Sequence, residues 1–115
     1  MKDLKNRIGK RLKQARLTAG ISQRKLGVLA GIEEQSASAR MNQYEKGVHL
    51  PNLLTLQHIS KALGYPAAFF VLDDDWIAEL FYLVHQLSEG DKLKLVDIVK
   101  DLALRHRETS NETTC

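Results

Sequence analysis

Four histidines, at positions 49, 58, 85 and 106, and one cysteine, Cys115, are the side chains of this sequence most suited to metal ligation or nucleophilic attack. Their spacing supports neither. No two histidines stand three to five residues apart, as the paired histidines of zinc sites do. No glycine-rich phosphate loop, nucleophile elbow or paired-carboxylate pocket accompanies them. An enzyme is therefore not expected, and neither is a metal or a cofactor. His58 and His85 read as ordinary residues of amphipathic helices. Cys115 is single, so it closes no intramolecular disulfide. It reads as an idle thiol rather than a reactive group or a dimer cross-link, and the sequon at Asn111 reads as chance.

Charge is more informative. The net charge of +3 conceals an asymmetry: residues 1–50 hold 11 Lys/Arg and 4 Asp/Glu, and residues 51–115 hold 6 and 10. A basic half beside an acidic one suggests a polyanion site in the first half, with solvated helix faces as the plain alternative. The 115 residues suit one small domain with an appendage. A hydrophobic content of 43% supplies a modest core and excludes a wholly disordered chain. No apolar run approaches the ~18 residues of a membrane span. The opening "MKDLKNRIGKRLKQ" lacks the apolar stretch of a signal peptide. A cytoplasmic protein without a membrane partner is expected.

The elements that must carry these charges are helices. No stretch alternates with period two, and only two prolines occur. Leu4, Ile8, Leu12 and Ala15 step by three and four, predicting a helix over 4–19 that Gly20 ends. Ser22 is the N-cap of a second helix, "QRKLGVLA", ending at Gly31. A third is predicted over 33–46, stopped by Gly47. Asn52 caps a fourth, in which Leu53, Leu54, Leu56, Ile59 and Leu63 are spaced for burial and which Gly64 ends. Pro66 opens a short fifth. The carboxylates of "DDD" at 73–75 suit the N-terminus of a sixth, with Trp76, Ile77, Leu80, Phe81, Val84 and Leu87 on one broad face. Ser88 and Asp91 start a seventh over 89–106, with Leu93, Leu95, Val96, Ile98, Val99 and Leu102. The polar "RETSNETTC" of residues 107–115 reads as a disordered tail.

Residues 8–72 resemble the Cro/cI-type helix-turn-helix family, also called the xenobiotic-response-element family. The resemblance is carried by "IGKRLKQARLTAGISQRKLGVLAG", by "NQYEKG" with the "LP" after it, and by "LLTLQHISKALGYPAAFF". It implies an all-α, five-helix lambda-repressor-like bundle that binds double-stranded DNA, with the third helix in the major groove. On that resemblance the positions facing bases fall on Ser38, Ala39, Arg40 and Gln43, with Met41 and Tyr44 toward the core, and Ser36 and Ser38 can hydrogen-bond either bases or phosphate. The forked guanidinium of Arg40 suits O6 and N7 of guanine, the amide of Gln43 suits adenine, and Ala39 suits a thymine methyl. Alanines 37 and 39 allow close approach. Ser22 and Gln23 at the start of helix two, with Lys46, His49 and Asn52 around the loop after helix three, are expected on the DNA backbone. Lys10 and Lys13 of helix one add long-range attraction. The resemblance also implies a partly buried Arg16–Glu45 pair that is structural first.

One departure stands out. The family spacing from the turn's apolar residue to the glutamate of "ExG" is about nine, and here Ile32 to Glu45 is thirteen. Four residues are close to one helical turn of ~3.6. Either helix three starts one turn earlier, or the turn is lengthened and the helix begins near Ser36. Glu33 and Glu34 suit a helix N-terminus but repel phosphate, so they are expected outside the main contact. Gly27, where the family has alanine, is a milder departure costing about 1 kcal/mol.

The domain expectation is a DNA-binding domain over 1–72, a C-terminal helical hairpin over 73–106 for dimerisation or packing, and the tail at 107–115. The function expected is a sequence-specific transcriptional regulator, a dimeric repressor on an inverted-repeat operator. The alternative is an antitoxin or protein-interaction module on the same scaffold, with a protein partner on residues 74–106.

Overall fold

The computed structural model describes the backbone of residues 2–114 and the side chains of residues 3–110; Cys115 and the Asn111 side chain lie outside the described residues. Every regular element among them is helical: α1 (Lys2–Ala19), α2 (Gln23–Leu29), α3 (Glu34–Glu45), α4 (Leu53–Leu63), α5 (Ala68–Val71), α6 (Asp75–His85) and α7 (Glu89–Thr114). They form two compact units, divided between His85 and Gln86.

The core of the first unit is Ile8, Leu12 and Ala15 of α1, Leu26 of α2 with Ala30 and Ile32 of the turn, Ala37, Met41 and Tyr44 of α3, Leu56 and Ile59 of α4, and Phe70 of α5. The three- and four-residue steps along each helix put one stripe inward. Ser22 caps α2 by accepting from the Lys25 amide at 3.0 Å, and Asn52 caps α4 by accepting from the Thr55 amide at 2.8 Å. Gly31, at φ +88°, makes the turn between α2 and α3 in a left-handed conformation that side chains other than glycine strain to adopt.

Two expectations are corrected, the burial of Leu53 and Leu54 and the disorder of the tail. Leu53 and Leu54 are 70% and 61% exposed: the inward stripe of α4 is Leu56, Ile59, Ser60 and Leu63, Leu54 stands about 200° around the helix from Leu56, and Leu53 is the first residue of the helix. The first compact unit runs to His85. Helix α6 joins the first unit because Ala78 is buried, Tyr82 stacks on Tyr65 at 4.3 Å, and Arg7 and Arg11 hold Asp73 and Asp75, each at 2.9 Å. On α6, Trp76, Leu80 and Phe81 are 68%, 45% and 43% exposed. The tail expected from Arg107 onward is helical to Thr114. Its polar residues break no helix, since proline and glycine are absent, and Arg105 pairs with Asp101 at 2.7 Å one turn earlier.

The second unit is essentially α7. Ser88 caps it by accepting from the Asp91 amide at 3.1 Å, and Lys92–Glu89 and Lys94–Asp91 pairs line its first turns. Leu93, Val96, Ile98, Val99, Leu102 and Leu104 are all exposed.

Candidate nucleic-acid interface

Helix α3 begins at Glu34, directly after the buried Ile32 and the flanking Glu33. The four additional residues therefore lengthen the helix and leave the turn short. The extra turn is almost one helical period, so Ala37, Met41 and Tyr44 stay in phase with the core. Ala37, expected to face outward beside Ala39, is wholly buried. It packs on α2 at Gly27, where a Cβ would stand 2.7 Å from the Ala37 Cβ. Gly27 is thus a requirement of the longer helix: it gives the added turn a place to lie.

The C-terminal end of α3 is fixed by Glu45. The Nε of Arg16 donates to one carboxylate oxygen at 2.6 Å and its Nη2 to the other at 3.1 Å, while Nη1 donates to the Ile21 carbonyl at 2.9 Å. The Arg16 and Glu45 side chains are only 11% and 3% exposed. The Glu45 hydrogen bond raises the Arg16 pKa, with its charge adding to the effect and burial opposing it. Gly9 makes this approach possible, since a Cβ there would come within 2.6 Å of the Tyr44 carbonyl oxygen.

The base-facing candidates spread around α3: Ala39, Gln43 and Arg40 share one outer side, while Ser38 stands about 200° around the helix from Arg40. Ser38, Ala39, Arg40 and Gln43 are exposed, and Ser36 is half-buried. Arg40 lies back along the helix, its Nη2 donating to the Tyr44 hydroxyl at 2.9 Å and its guanidinium 6.0 Å from that ring. Its remaining donors are available to a ligand.

The backbone candidates are more divided. Lys46 and His49 are exposed. Ser22 and Asn52 are exposed, and each uses its side-chain oxygen as a helix cap. Gln23 is also a brace between helices. Its amide donates to Asn42 and to Glu45, both at 3.2 Å, holding α2 against α3. His58, an ordinary helix residue by its spacing, does more in the fold. Its Nδ1 lies 3.2 Å from the Ala30 carbonyl, closing the turn between α2 and α3 from the side of α4. No local pattern marks that contact, because it joins residues 28 positions apart.

Not all of the basic half is free to attract an anion. Arg7, Arg11, Arg16 and Arg24 are paired with Asp73, Asp75, Glu45 and Glu34. Arg11 also donates to the Phe69 and Leu72 carbonyls. The exposed cations without a described carboxylate partner in this half include Lys13, Lys25, Arg40 and Lys46, while Lys10 lies within electrostatic reach of Asp75. Among the described residues no cluster of histidine, cysteine and carboxylate side chains is arranged to hold a metal.

The helix-turn-helix family model matches residues 12–70, which spans α2, α3, α4 and most of the core that holds them. The chain belongs to the Cro/cI-type helix-turn-helix family of DNA-binding transcriptional regulators. Curated relatives from Sinorhizobium medicae (strain WSM419) and Rhizobium meliloti (strain 1021) are each 38% identical over 123 aligned positions. The alignments cover 84% of this chain and 86% of each relative, and both relatives are named HTH-type transcriptional regulators. The crystal structure of the transcriptional regulator BswR superposes with a TM-score of 0.73 at 43% identity, covering 81% of this chain and 92% of BswR. No described helix of this regulator is long and apolar enough to cross a membrane.

Proposed function

We propose that this regulator is a dimeric repressor that reads an inverted-repeat operator in the major groove with α3, using Ser36, Ser38, Ala39, Arg40 and Gln43 on bases. Ser22, Gln23, Lys46, His49 and Asn52 meet the backbone. The observation that carries the reading is the exposed side of Ala39, Arg40 and Gln43 on a helix anchored at its far end by the buried Arg16–Glu45 pair. A major groove about 12 Å wide admits such a helix, and anchoring it fixes which side chains reach the base edges. Dimerisation is supported by α7. Leu95, Val99 and Leu102 follow i, i+4, i+7, and Val99 and Leu102 are 54% and 58% exposed. An apolar helical stripe of that kind is stable in water when a second surface covers it. Two copies on DNA place their reading helices about 34 Å apart, one turn of the duplex. Bound over a promoter, the pair excludes polymerase.

Selection of genomic fragments by the purified protein tests this reading. A recovered motif with twofold symmetry, and loss of reporter repression when the motif is scrambled, are expected; a motif without symmetry would remove the dimer. Arg40→Ala should lose preference for the motif while keeping its affinity for random DNA, and equal loss on both would remove Arg40 from base reading. A second reading is favoured by Trp76, 68% exposed on α6 with Leu80 and Phe81 beside it: an antitoxin or interaction module whose protein partner covers residues 74–106. It predicts a stoichiometric complex with that partner that Trp76→Ala disrupts while DNA binding persists.

A further inference from the structure

We propose that the added turn of α3 creates a further base-reading position, Gln35, whose carboxamide pairs with an adenine in each half-site, and that Arg24 is the positioning residue that keeps the neighbouring Glu34 out of its way. This rests on α3 being the recognition helix.

Residues advance about 100° each around a helix, so the inward stripe Ala37, Met41 and Tyr44 defines an opposite, outermost line. Gln35, Ala39 and Lys46 fall on that line, and all three are exposed. Gln35 is its N-terminal member, at the end of a recognition helix that goes deepest toward base edges. The position exists because α3 starts at Glu34; a helix beginning near Ser36 would leave Gln35 in the turn. Its amide has no hydrogen-bond partner among the described residues and is free to present one donor and one acceptor together. That pair matches N7 and the N6 amino group of adenine.

Two glutamates at the same end would defeat this by repelling phosphate. Glu34 is drawn aside: it projects toward α2 and forms an ion pair with Arg24. Glu33 precedes the helix. The Gly27–Ala37 contact brings the added turn close against α2, which puts Glu34 within reach of Arg24.

The test repeats the fragment selection with Gln35→Ala, an exposed substitution that keeps the fold. The variant is expected to recover the same symmetric motif minus its preference for one A·T pair in each half, and to bind the original site roughly tenfold more weakly. Its affinity for random DNA is expected to stay unchanged. An unaltered motif, or an equal loss on random DNA, overturns the role of Gln35 while leaving α3 as the reader. A wild-type protein that recovers no motif overturns both. For Arg24, the expected result is that Arg24→Ala weakens binding and that adding Glu34→Gln restores it. Absence of rescue would make Arg24 a phosphate contact in its own right and remove its positioning role.

Discussion

Helices α1–α5 and helix α7 are written in the same amphipathic code and end in opposite states. In the bundle, Leu12, Leu26, Met41, Ile59 and Phe70 are sealed from water. Along α7, Val96, Ile98, Val99 and Leu102 recur with similar regularity and are 45–58% exposed. The bundle closes on itself because five helices arrive from several directions around one core. Among its described residues, the unit that α7 forms holds no closed core of its own. The first region should therefore have a stability of its own, and the second a stability that depends on association.

The strongest way to break the bundle side of this contrast is to strand its buried charge. Glu45→Ala leaves the Arg16 guanidinium unpaired, and a loss of about 3 kcal/mol or more is expected in denaturant unfolding. A loss below ~1 kcal/mol would mean that water reaches the pair. On the other side, the proposed dimer through α7 predicts that Val99→Asp with Leu102→Asp yields a monomer by light scattering and abolishes the concentration dependence of the melting temperature. Circular dichroism should still show the folded bundle. A variant that stays dimeric would move the interface off α7.

Gly27→Ala probes the seat of the long recognition helix within the bundle. Helix propensity alone favours alanine by about 1 kcal/mol. The clash with Ala37 should override it and destabilise the protein by roughly 1–2 kcal/mol, within the usual range for overpacking. A stabilised variant would show that α2 and α3 separate easily. The smallest effect concerns the link from α1 to α6. Arg11, by its hydrogen bond and then its charge, holds the Asp75 carboxyl below the ordinary carboxylate pKa, with burial slightly opposing and Lys10 adding. A lowered folded-state pKa means stability that is complete above the ordinary carboxylate value and lost as pH falls through the lowered one. Asp75→Asn should therefore be slightly less stable than the parent near neutral pH, and the gap should close in acid. A gap independent of pH would exclude the ion pair as its origin.

Much of the bundle is legible in the sequence because its cues are local. The steps of Ile8, Leu12 and Ala15, the caps Ser22 and Asn52, and the stops at Gly20, Gly47 and Gly64 each act within one or two turns of chain. What is not legible depends on contacts distant in sequence. Leu54 looks like core until the inward side of α4 is known. Gly27 looks like a weak helix residue until Ala37 is placed against it, and Gln23 like a free amide until Asn42 and Glu45 arrive. The end of α7 misleads for another reason: polarity says that a segment gains nothing from burial, not that it leaves the helix. In the interface, the exposed side of α3 can be anticipated. Whether four residues lengthen the turn or the helix cannot, because Glu33 and Glu34 suit either.

Base reading by α3 is tested most directly by a binding titration of the full chain against its selected fragment and against random DNA of equal length, over a series of salt concentrations. The expected affinity for the selected fragment is ~10³-fold or more above that for random DNA. Lys46→Ala should lower the salt slope by about one while the ratio between the two DNAs holds. Uniform, weak, salt-sensitive binding to both would contradict base reading by α3.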